Sequence, residues 1–371
     1  MLKHTPPIPL PVPVSQYVPQ QNDGEDEPEP NPLDTSSMLK PLRTYLGTYP
    51  EKDPNSPFYS TKSFEEFNLR PELLKGVYAM GFNRPSKIQE KALSILLADP
   101  PLNLIAQSQS GTGKTAAFIL AALSRVNPNL KYPHVLVLAP TYELAVQTGK
   151  VAKKMAHYCP NIEFRFAIRG ENLDRGHRIT EPFLIGTPGK VFDWAVRFKF
   201  FDLKKIQVSV LDEADVMVST QGHEDQSIRI HKLLPKNCQI MLFSTTYSDE
   251  VMQFSEHIAP DPIIIRLKKE EESLVNIKQY YTVCKTPEEK FQALCNIYGA
   301  CNIGQTLIFC NTKKTAAWLV EKMSLEGHDV ALVSGELTVV QRIALLNRFR
   351  EGKEKIPASH PLRKEIEGFS I

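Results

Sequence analysis

Short apolar runs along the chain alternate with longer segments in which apolar residues recur every three or four positions. The runs predict strands and the longer segments predict helices. Between residues 63 and 268 the predicted strands are Leu102–Ala106, His134–Ala139, Glu163–Ile168, Phe183–Ile185, Gln207–Leu211 and Gln239–Phe243. The predicted helices are Ile88–Leu97, Lys114–Arg125, Tyr142–His157, Lys190–Val196 and Asp249–His257. This alternation indicates an α/β domain built on a parallel sheet.

A second alternation follows the charged connector Lys268–Glu272. It predicts helices Glu288–Tyr298, Lys313–Met323 and Val339–Phe349 and strands Gln305–Phe309 and Val330–Val333. The stretch IPASHPLRKEIEGFSI after Lys355 contains no strand-like run, so we expect only part of a second α/β domain. We therefore divide the chain into an arm (1–60), a first domain (61–268), a partial second domain (275–355) and a divergent tail (356–371).

Composition restricts the function classes. Residues 1–60 hold 13 of the 29 prolines and the acidic run Glu25–Glu29, which predicts a disordered arm or a Pro-rich ligand for another protein. The net charge of +2 gives no general sign of a nucleic-acid partner. No apolar run reaches about 18 residues, so no membrane span is expected. Six cysteines without CxxC spacing and a proline-studded N-terminus favour an intracellular protein, in the cytoplasm or the nucleus.

A glycine-rich loop between a predicted strand and a predicted helix is the first candidate for chemistry. The stretch SQSGTGKT covers residues 108–115 and matches the phosphate-binding pattern GxxxxGK[ST] except for Ser108 at its first position. Gly111 and Gly113 allow a tight turn whose N–H groups face anionic oxygens. We expect Ser110, Gly111, Thr112 and Gly113 to hold the phosphates of ATP, Lys114 to reach the β- and γ-phosphates, and Thr115 to bind Mg²⁺.

An acidic strand end is the second candidate. Asp212-Glu213-Ala214-Asp215 follows the apolar strand Gln207–Leu211, and carboxylates at the end of a buried parallel strand lie where α/β proteins bind ligands. We expect Asp212 to bind Mg²⁺ and Glu213 to orient the attacking water. Together with the glycine-rich loop, these carboxylates predict an ATP-hydrolysing site.

These two motifs, together with others, resemble those of the DEAD-box family of ATP-dependent RNA helicases, from about Phe64 to Phe349. The resemblance implies a RecA-like first domain and half of a RecA-like second domain. The stretch GFNRPSKIQ at residues 81–89 resembles the adenine-reading motif of the family. By this resemblance Gln89 hydrogen-bonds the adenine, Phe82 stacks on the base and Phe64 supports the motif.

The same resemblance implies contacts to an RNA backbone. The stretch PTYELAVQ at residues 140–147 resembles a motif usually written PTRELAxQ, with Tyr142 where arginine is typical. The implied RNA contacts, which grip sugar and phosphate without reading bases, are Pro140, Thr141, Arg169, Gly170, Thr187, Pro188, Gly189 and Arg342. Ser244-Thr245-Thr246 takes the place of the Ser-Ala-Thr motif, so Ser244 and Thr246 would reach Asp215, and Thr245 would alter the coupling of hydrolysis to strand separation.

Several stretches, such as AQSQSGTGKT and FREGKEK, are similar in sequence to those of one family branch. That branch remodels RNA–protein complexes at the nuclear pore during mRNA export. This similarity implies nucleoporins and an mRNA-export activator as partners, and the rim of the nuclear pore as a location.

Two family motifs do not occur in these 371 residues: the Asp/Ala-Arg-Gly-Ile-Asp stretch and the arginine-rich His-Arg-Ile-Gly-Arg-Thr-Gly-Arg stretch. Such arginines raise phosphoryl-transfer rates by roughly 10³–10⁵. Two hypotheses therefore remain open. The chain is either a fragment or alternative product of an RNA-dependent ATPase and helicase, or a binding module that holds ATP and RNA without turnover. A DNA translocase of another P-loop family would leave the Gln89 motif unexplained.

Overall fold

The computed structural model describes residues 12–13, 62–266, 280–300, 306–334, 336–350 and 356–359. The chain divides into two compact units, residues 41–274 and residues 275–371 with 1–40. The predicted arm lies outside the described residues except for Val12–Pro13, whose backbone pairs with Tyr280–Tyr281. The predicted connector also lies outside them. Within the described parts of the chain, every helix is too short or too polar to cross a membrane.

The larger unit is a parallel α/β domain, as the sequence predicts. Its seven strands lie in the order β3-β4-β2-β5-β6-β1-β7, and every neighbouring pair is parallel. The strands are β1 (Leu104–Gln107), β2 (Val135–Leu138), β3 (Phe164–Ala167), β4 (Phe183–Gly186), β5 (Val208–Asp212), β6 (Gln239–Ser244) and β7 (Ile263–Ile265).

Two helices of this unit begin after residues that cap helix N-termini well. Ser86 forms a capping box with Gln89 at the start of α2, and the hydroxyl of Thr141 caps α4 through the Leu144 N–H. The helices are α1 (Pro71–Ala79), α2 (Lys87–Leu96), α3 (Lys114–Ser124), α4 (Tyr142–Met155), α5 (Pro188–Phe192), α6 (Ala214–Ser219), α7 (His223–Lys232) and α8 (Asp249–Ile258). A π-helical turn, Asp193–Arg197, continues α5.

Alternate residues of the central strands enter two separate apolar layers. Val135, Val137 and Met241 belong to one layer, whereas Leu136 and Leu242 belong to the other. This alternation follows from the period of two in a strand. Both layers are covered by helices, which explains why the strands read as continuous apolar runs. The central strands are therefore packed on both faces, and this packing positions their carboxyl ends side by side.

The smaller unit contains a three-stranded parallel sheet in the order β8-β10-β9. Its strands are β8 (Ile308–Phe309), β9 (Val330–Val333) and β10 (Ile356–Ser359). Its helices are α9 (Pro287–Ala300), α10 (Lys313–Leu325) and α11 (Val339–Arg350). Leu294, Ile308, Leu319 and Met323 form the buried core of this unit.

The sequence prediction for the tail was wrong at one point. No strand was predicted after Lys355, yet β10 forms there and lies between β8 and β9. Ala358 pairs with both Ile308 and Leu332. Pro357 locally disfavours a central strand because it lacks an N–H group, but parallel pairing on both sides overrides this preference.

Candidate functional site

Apart from the adenine-reading motif, which lies before β1, the candidate motifs of the larger unit follow carboxyl ends of strands in one parallel sheet and therefore lie along one edge. The strand order sorts them into two halves. The loop after β1, the acidic motif after β5 and the Ser-Thr-Thr motif at the end of β6 occupy three neighbouring strands. The motifs assigned to RNA follow the other three neighbours, β3, β4 and β2. The sheet thus separates candidate nucleotide residues from candidate RNA residues.

The glycine-rich loop folds back on its own lysine. Gly111 and Gly113 have φ angles of 78° and 100°, which favour glycine. The Lys114 ammonium donates hydrogen bonds to the carbonyl oxygens of Ser108 at 2.8 Å and Gln109 at 3.0 Å. Burial lowers the pKa of Lys114, while the carboxylates of the acidic motif act in the opposite direction. The loop is thus preformed around a buried cation.

Gln89 fastens the adenine-reading motif to this loop. Its amide nitrogen donates to the Gly113 carbonyl at 3.2 Å, and its amide oxygen accepts from the Ser86 N–H at 2.8 Å. The Ser86 hydroxyl donates to the Thr112 carbonyl at 2.7 Å. Gln89 is only 3% exposed. Its carboxamide is therefore held in a fixed orientation, with one further N–H left for a ligand.

The two aromatic residues of the motif differ in position. Phe64 is 2% exposed and packs edge-on against Tyr78, with ring centroids 6.3 Å apart. Phe82 is half-buried. Both line a narrow crevice, with Gln89 at its wall. This placement suits a supporting role for Phe64 and leaves only Phe82 accessible to a base.

The acidic motif is buried beside the lysine. Asp212 is 4% exposed, and its carboxylate accepts from the Glu213 N–H at 3.1 Å. Burial, reinforced by the Glu213 carboxylate, raises the pKa of Asp212 to about 7, against the opposing charge of Lys114. Glu213 has a φ angle of 50° at the start of α6. Lys114 and Asp212 therefore interact electrostatically in one site.

The donors at this site suit Mg²⁺ and phosphate. Among the described residues no group of three or more His, Cys, Asp or Glu side chains could hold a metal alone. Magnesium usually takes one or two carboxylates, waters and substrate phosphates. A buried carboxylate with a raised pKa, Asp212, and the half-buried Thr115 hydroxyl fit this pattern.

Asp215 is held by the end of β6. Its carboxylate oxygen Oδ2 accepts from the Thr246 hydroxyl at 2.6 Å and from the Thr245 hydroxyl at 3.2 Å. Its N–H donates to the Ser244 hydroxyl at 3.2 Å. The carboxylate oxygen Oδ1 accepts from the Val216 N–H at 2.8 Å. The Thr245 hydroxyl, which an alanine would lack, thus has a partner.

The candidate RNA residues of this unit expose different kinds of group. Arg169 and Gly170 are exposed, and Gly170 has a φ angle of 96° with open space around it. Thr141 and Thr187 each precede a helix and are half-buried. Pro188 is buried and Gly189 half-buried. Tyr142, where the family has arginine, packs against the apolar core.

Arg342 belongs to the smaller unit. Its guanidinium donates to the Leu337 carbonyl at 3.5 Å, and its N–H donates to the Thr338 carbonyl at 3.0 Å. Between β8 and α10 lies Thr312, whose hydroxyl accepts from the Thr315 N–H at 3.0 Å. Thr312 thus follows the strand β8, and Arg342 lies on α11, which follows the strand β9.

Sequence reasoning missed three residues that shape the site. Ser86 joins α2 to the loop, Gln107 donates to the Thr245 carbonyl at 3.4 Å, and Gln109 accepts from Lys114. The Ser86–Gln89 spacing is that of a capping box and could have revealed Ser86. Backbone acceptors such as Gln109 leave no sequence signal.

Comparison with known families gives two matches. Residues 86–254 match the model of the DEAD/DEAH box helicases. Residues 289–358 match the helicase conserved C-terminal domain. The second match includes most of β10.

Individual relatives extend over more of the chain. The ATP-dependent RNA helicase DDX19A of Bos taurus is 63% identical over 306 residues, which are 82% of this chain and 64% of that protein. The chain therefore spans slightly less than two thirds of the length of this relative.

Two solved structures are also similar. S. cerevisiae Dbp5 bound to RNA and ADP BeF3 is 45% identical with a TM-score of 0.75, covering 81% of this chain and 76% of that one. A Dbp5 variant bound to Nup159, a Gle1 variant, IP6 and ADP is 42% identical with a TM-score of 0.59, covering 79% and 76%.

Proposed function

The chain belongs to the DEAD/DEAH box helicase family, and on that premise we propose that it is an RNA-dependent ATPase that remodels RNA or RNA–protein complexes in mRNA export. One observation carries the proposal. The buried Lys114 and the buried Asp212 interact at one edge of the sheet, where a triphosphate with its metal would contact both.

Different residues of the larger unit have separate roles in ATP hydrolysis. Lys114 leaves its two loop carbonyls and neutralises the β- and γ-phosphates, which the N–H groups of residues 110–113 also hold. Asp212 and Thr115 would hold Mg²⁺, which offsets negative charge on the phosphates. Glu213 orients the attacking water. Gln89 and Phe82 select and stack the adenine.

Asp215 connects hydrolysis to the neighbouring strand. Its bonds to the hydroxyls of Thr245 and Thr246 tie the acidic motif to the end of β6. A displacement of the acidic motif during hydrolysis would therefore move β6. Thr245 adds a donor to this connection.

The other half of the sheet edge suits a polynucleotide backbone. Exposed Arg169 supplies charge, Gly170 permits close approach, and Thr141 and Thr187 supply hydroxyl and N–H groups at helix starts. Such contacts are salt-sensitive and tolerant of sequence. Because a similar Dbp5 variant is bound to Nup159, Gle1 and IP6, we also propose nucleoporin and activator partners and a location at the rim of the nuclear pore.

A second candidate function is a module that binds ATP and RNA without turnover. It differs from the first in needing only the larger unit, which does not itself contain the arginine-rich family motif. Such arginines contribute roughly 10³–10⁵ to the rate of phosphoryl transfer. Nucleotide binding by the larger unit does not depend on them.

The test measures binding and turnover separately. A fluorescent ATP analogue with Mg²⁺ is titrated into the wild-type chain, Lys114→Ala and, as a matched control, Lys322→Ala, whose exposed lysine lies at the end of α10. We expect saturable binding that Lys114→Ala alone abolishes. RNA-stimulated turnover near ~1 s⁻¹ supports the ATPase. Binding without turnover supports the second candidate, and unchanged binding by Lys114→Ala contradicts both.

A further inference from the structure

An exposed phenylalanine lies on the surface of the larger unit, directly after the π-helical turn that continues α5. Phe198 is 54% exposed, and its ring stacks on that of Phe200 with the centroids 5.4 Å apart and the planes 14° apart. Phe200 is buried and also contacts the buried Trp194 edge-on, with centroids 5.9 Å apart. Phe198 is therefore anchored on one side of its ring, while much of the remaining ring surface faces solvent.

The backbone around Phe198 holds the ring in place. The Phe198 N–H donates to the Asp193 carbonyl at 2.9 Å, and the Phe200 N–H donates to the Trp194 carbonyl at 2.9 Å. Lys199, between the two rings, has a φ angle of 54°. This short turn is thus tied to the end of the helix that precedes it. A planar ligand that stacks on Phe198 would therefore lose little free energy to the ordering of the protein.

Two cationic side chains and a second exposed ring border Phe198. Lys199 is exposed and follows it directly. Arg178 is exposed, and its guanidinium donates to the Lys199 carbonyl at 3.2 Å. The exposed ring of His177 contacts Phe200, with centroids 6.5 Å apart. Among the residues that the structure describes, neither Arg178 nor Lys199 takes part in an ion pair.

The acidic side chains of the same segments do not cancel this charge. Residues 171–180 and 190–200 carry five Lys and Arg side chains against three Asp and Glu. Asp193 pairs with Arg197 at 3.1 Å, and Glu171 and Asp174 are exposed. The surface therefore combines an excess of positive charge with an exposed aromatic ring. Single-stranded nucleic acids bind to this combination, because bases stack on the ring while cations neutralise the phosphates.

Both segments continue from residues already assigned to RNA. The loop that carries Arg178 follows Arg169-Gly170, and α5, which leads to Phe198, begins directly after Thr187. Phe198 lies nine positions after Gly189. The rise of a helix places these two residues about 14 Å apart, which is about four nucleotides of a stacked strand. A strand bound at the sheet edge could therefore reach Phe198 along α5.

We propose that the surface formed by His177, Arg178, Phe198 and Lys199 is an auxiliary subsite for single-stranded RNA. One unpaired base stacks on Phe198, and the adjoining phosphates contact Arg178 and Lys199. The proposal rests on the proposed RNA-binding function and deepens it, because it extends the RNA site beyond the sheet edge. The contacts at the edge grip sugar and phosphate, whereas this subsite engages the face of a base and tolerates any sequence.

Fluorescence anisotropy of labelled RNA tests the subsite in the full chain, with Mg²⁺ and a non-hydrolysable ATP analogue present. Phe198→Ala should weaken binding of a 16-nucleotide oligoadenylate at least about fivefold, because stacking is lost. It should leave a 5-nucleotide strand unaffected, because the three strand ends and α5 together extend over about 24 Å, or about seven nucleotides. Phe198→Trp, which keeps a planar ring, should bind the long strand as tightly as wild type. Leu233→Ala removes another exposed apolar side chain of this unit and should change neither affinity.

Two charge variants test the phosphate contacts. Arg178→Gln and Lys199→Asn each remove one positive charge, and asparagine tolerates the left-handed backbone at position 199. Each should weaken binding of the long strand several-fold and reduce the slope of log affinity against log salt by about 0.7. Lys236→Ala, at an exposed lysine after α7, should do neither. Unchanged affinity and slope in both variants would overturn the proposal.

Two other ligands identify the class of molecule that binds. A 16-nucleotide strand of abasic sugars should bind wild type and Phe198→Ala equally, because it has no base to stack. A labelled oligoglutamate peptide should also bind both proteins equally. If Phe198→Ala weakens binding of the peptide as much as that of RNA, the surface fits an acidic protein and the proposal is wrong.

The same titrations separate failure of the subsite from failure of the proposed function. If the long oligoadenylate binds Phe198→Ala as tightly as wild type, the subsite is wrong and the RNA-binding function stands. If it does not bind wild type at all, both are wrong.

Discussion

The hydroxyl of Thr245 donates a hydrogen bond over 3.2 Å to Oδ2 of Asp215, the oxygen that Thr246 reaches at 2.6 Å. The resembling family motif has alanine in place of Thr245, so this chain carries an additional donor. Asp215 is 6% exposed, and two hydroxyls and the Val216 N–H donate to its carboxylate. A buried acceptor with this many donors is costly to leave unpaired.

Thr246→Ala should destabilise the larger unit more than Thr245→Ala. The Thr246 bond is the shorter of the two, and net contributions of single hydrogen bonds are about 0.5–1.5 kcal/mol. We expect about 1 kcal/mol for Thr246→Ala and less for Thr245→Ala, measured by urea unfolding through Trp194 fluorescence. A larger loss for Thr245→Ala would contradict the geometry.

Gly113→Ala should destabilise the nucleotide site through both strain and a clash. Gly113 has a φ angle of 100°, and an added Cβ would collide with the Gln89 amide. Strained backbone of this kind costs about 1–3 kcal/mol. Gly111→Ala is the matched control, because Gly111 has a positive φ angle with open space around it. We expect lower thermal stability for Gly113→Ala than for Gly111→Ala.

The clash can be separated from the strain by a double variant. Replacing Gln89 by alanine removes the side chain with which the new Cβ would collide. Gly113→Ala should therefore cost less in a Gln89→Ala background than in the wild type. Additive losses would show that the Gln89–Gly113 contact is not made in solution.

The stability of the larger unit should fall in mild acid because of His231. Burial lowers the pKa of His231 to about 4. Its Nδ1 donates to the Ser227 carbonyl at 2.8 Å, and its Nε2 lies 3.1 Å from the Ser209 hydroxyl, so the neutral ring satisfies both partners. A lowered histidine pKa stabilises the fold above the unfolded-state value near 6.5, and this contribution is lost as pH falls toward 4.

The measurement is the unfolding free energy in urea between pH 7.5 and 5. His231→Gln should be less stable than wild type at pH 7.5 and should lose less stability on acidification. The same substitution at His257, whose side chain is exposed, serves as a control. Parallel curves for wild type and His231→Gln would show that this ring does not contribute.

Ala358→Pro should unfold the smaller unit selectively. Ala358 pairs with strands on both sides, and proline in the middle of a sheet removes a ladder hydrogen bond. A buried acceptor left unpaired costs about 1–3 kcal/mol. Trp318 fluorescence should report an earlier transition in urea while Trp194 keeps its midpoint. Pro357→Ala, one residue earlier in the same strand, should not lower stability. Equal shifts at both tryptophans would contradict the division into two units.

Much of this architecture could be predicted from the sequence. The strands β1, β2, β4, β5 and β6 are largely apolar runs, and runs of this kind predict strands buried on both faces. Asp212 and the loop that contains Gly113 each follow such a run, so their position at one sheet edge was predictable. The glycine-rich loop and the acidic motif, which carry the resemblance to the helicase family, lie at these same strand ends.

Other features depended on tertiary contacts. The strand β7 is only three isoleucines long and largely exposed at the sheet edge, and α7 is mostly polar, so neither gives a sustained apolar pattern. The order β3-β4-β2-β5-β6-β1-β7 does not follow chain order, and pairing across it is decided by packing. The contact of Thr245 with Asp215 arises only when the ends of β5 and β6 meet.

The order of the strands also bears on how the binding of RNA and the binding of ATP could be coupled. β2, which leads to Thr141, is hydrogen-bonded directly to β5, which leads to Asp212, with Leu138 opposite Leu211. No other strand intervenes between the polynucleotide half and the nucleotide half. A displacement caused by one bound molecule has to cross only the β2–β5 pairing to reach the other. Coupling between the two ligands therefore does not require a long path through the protein.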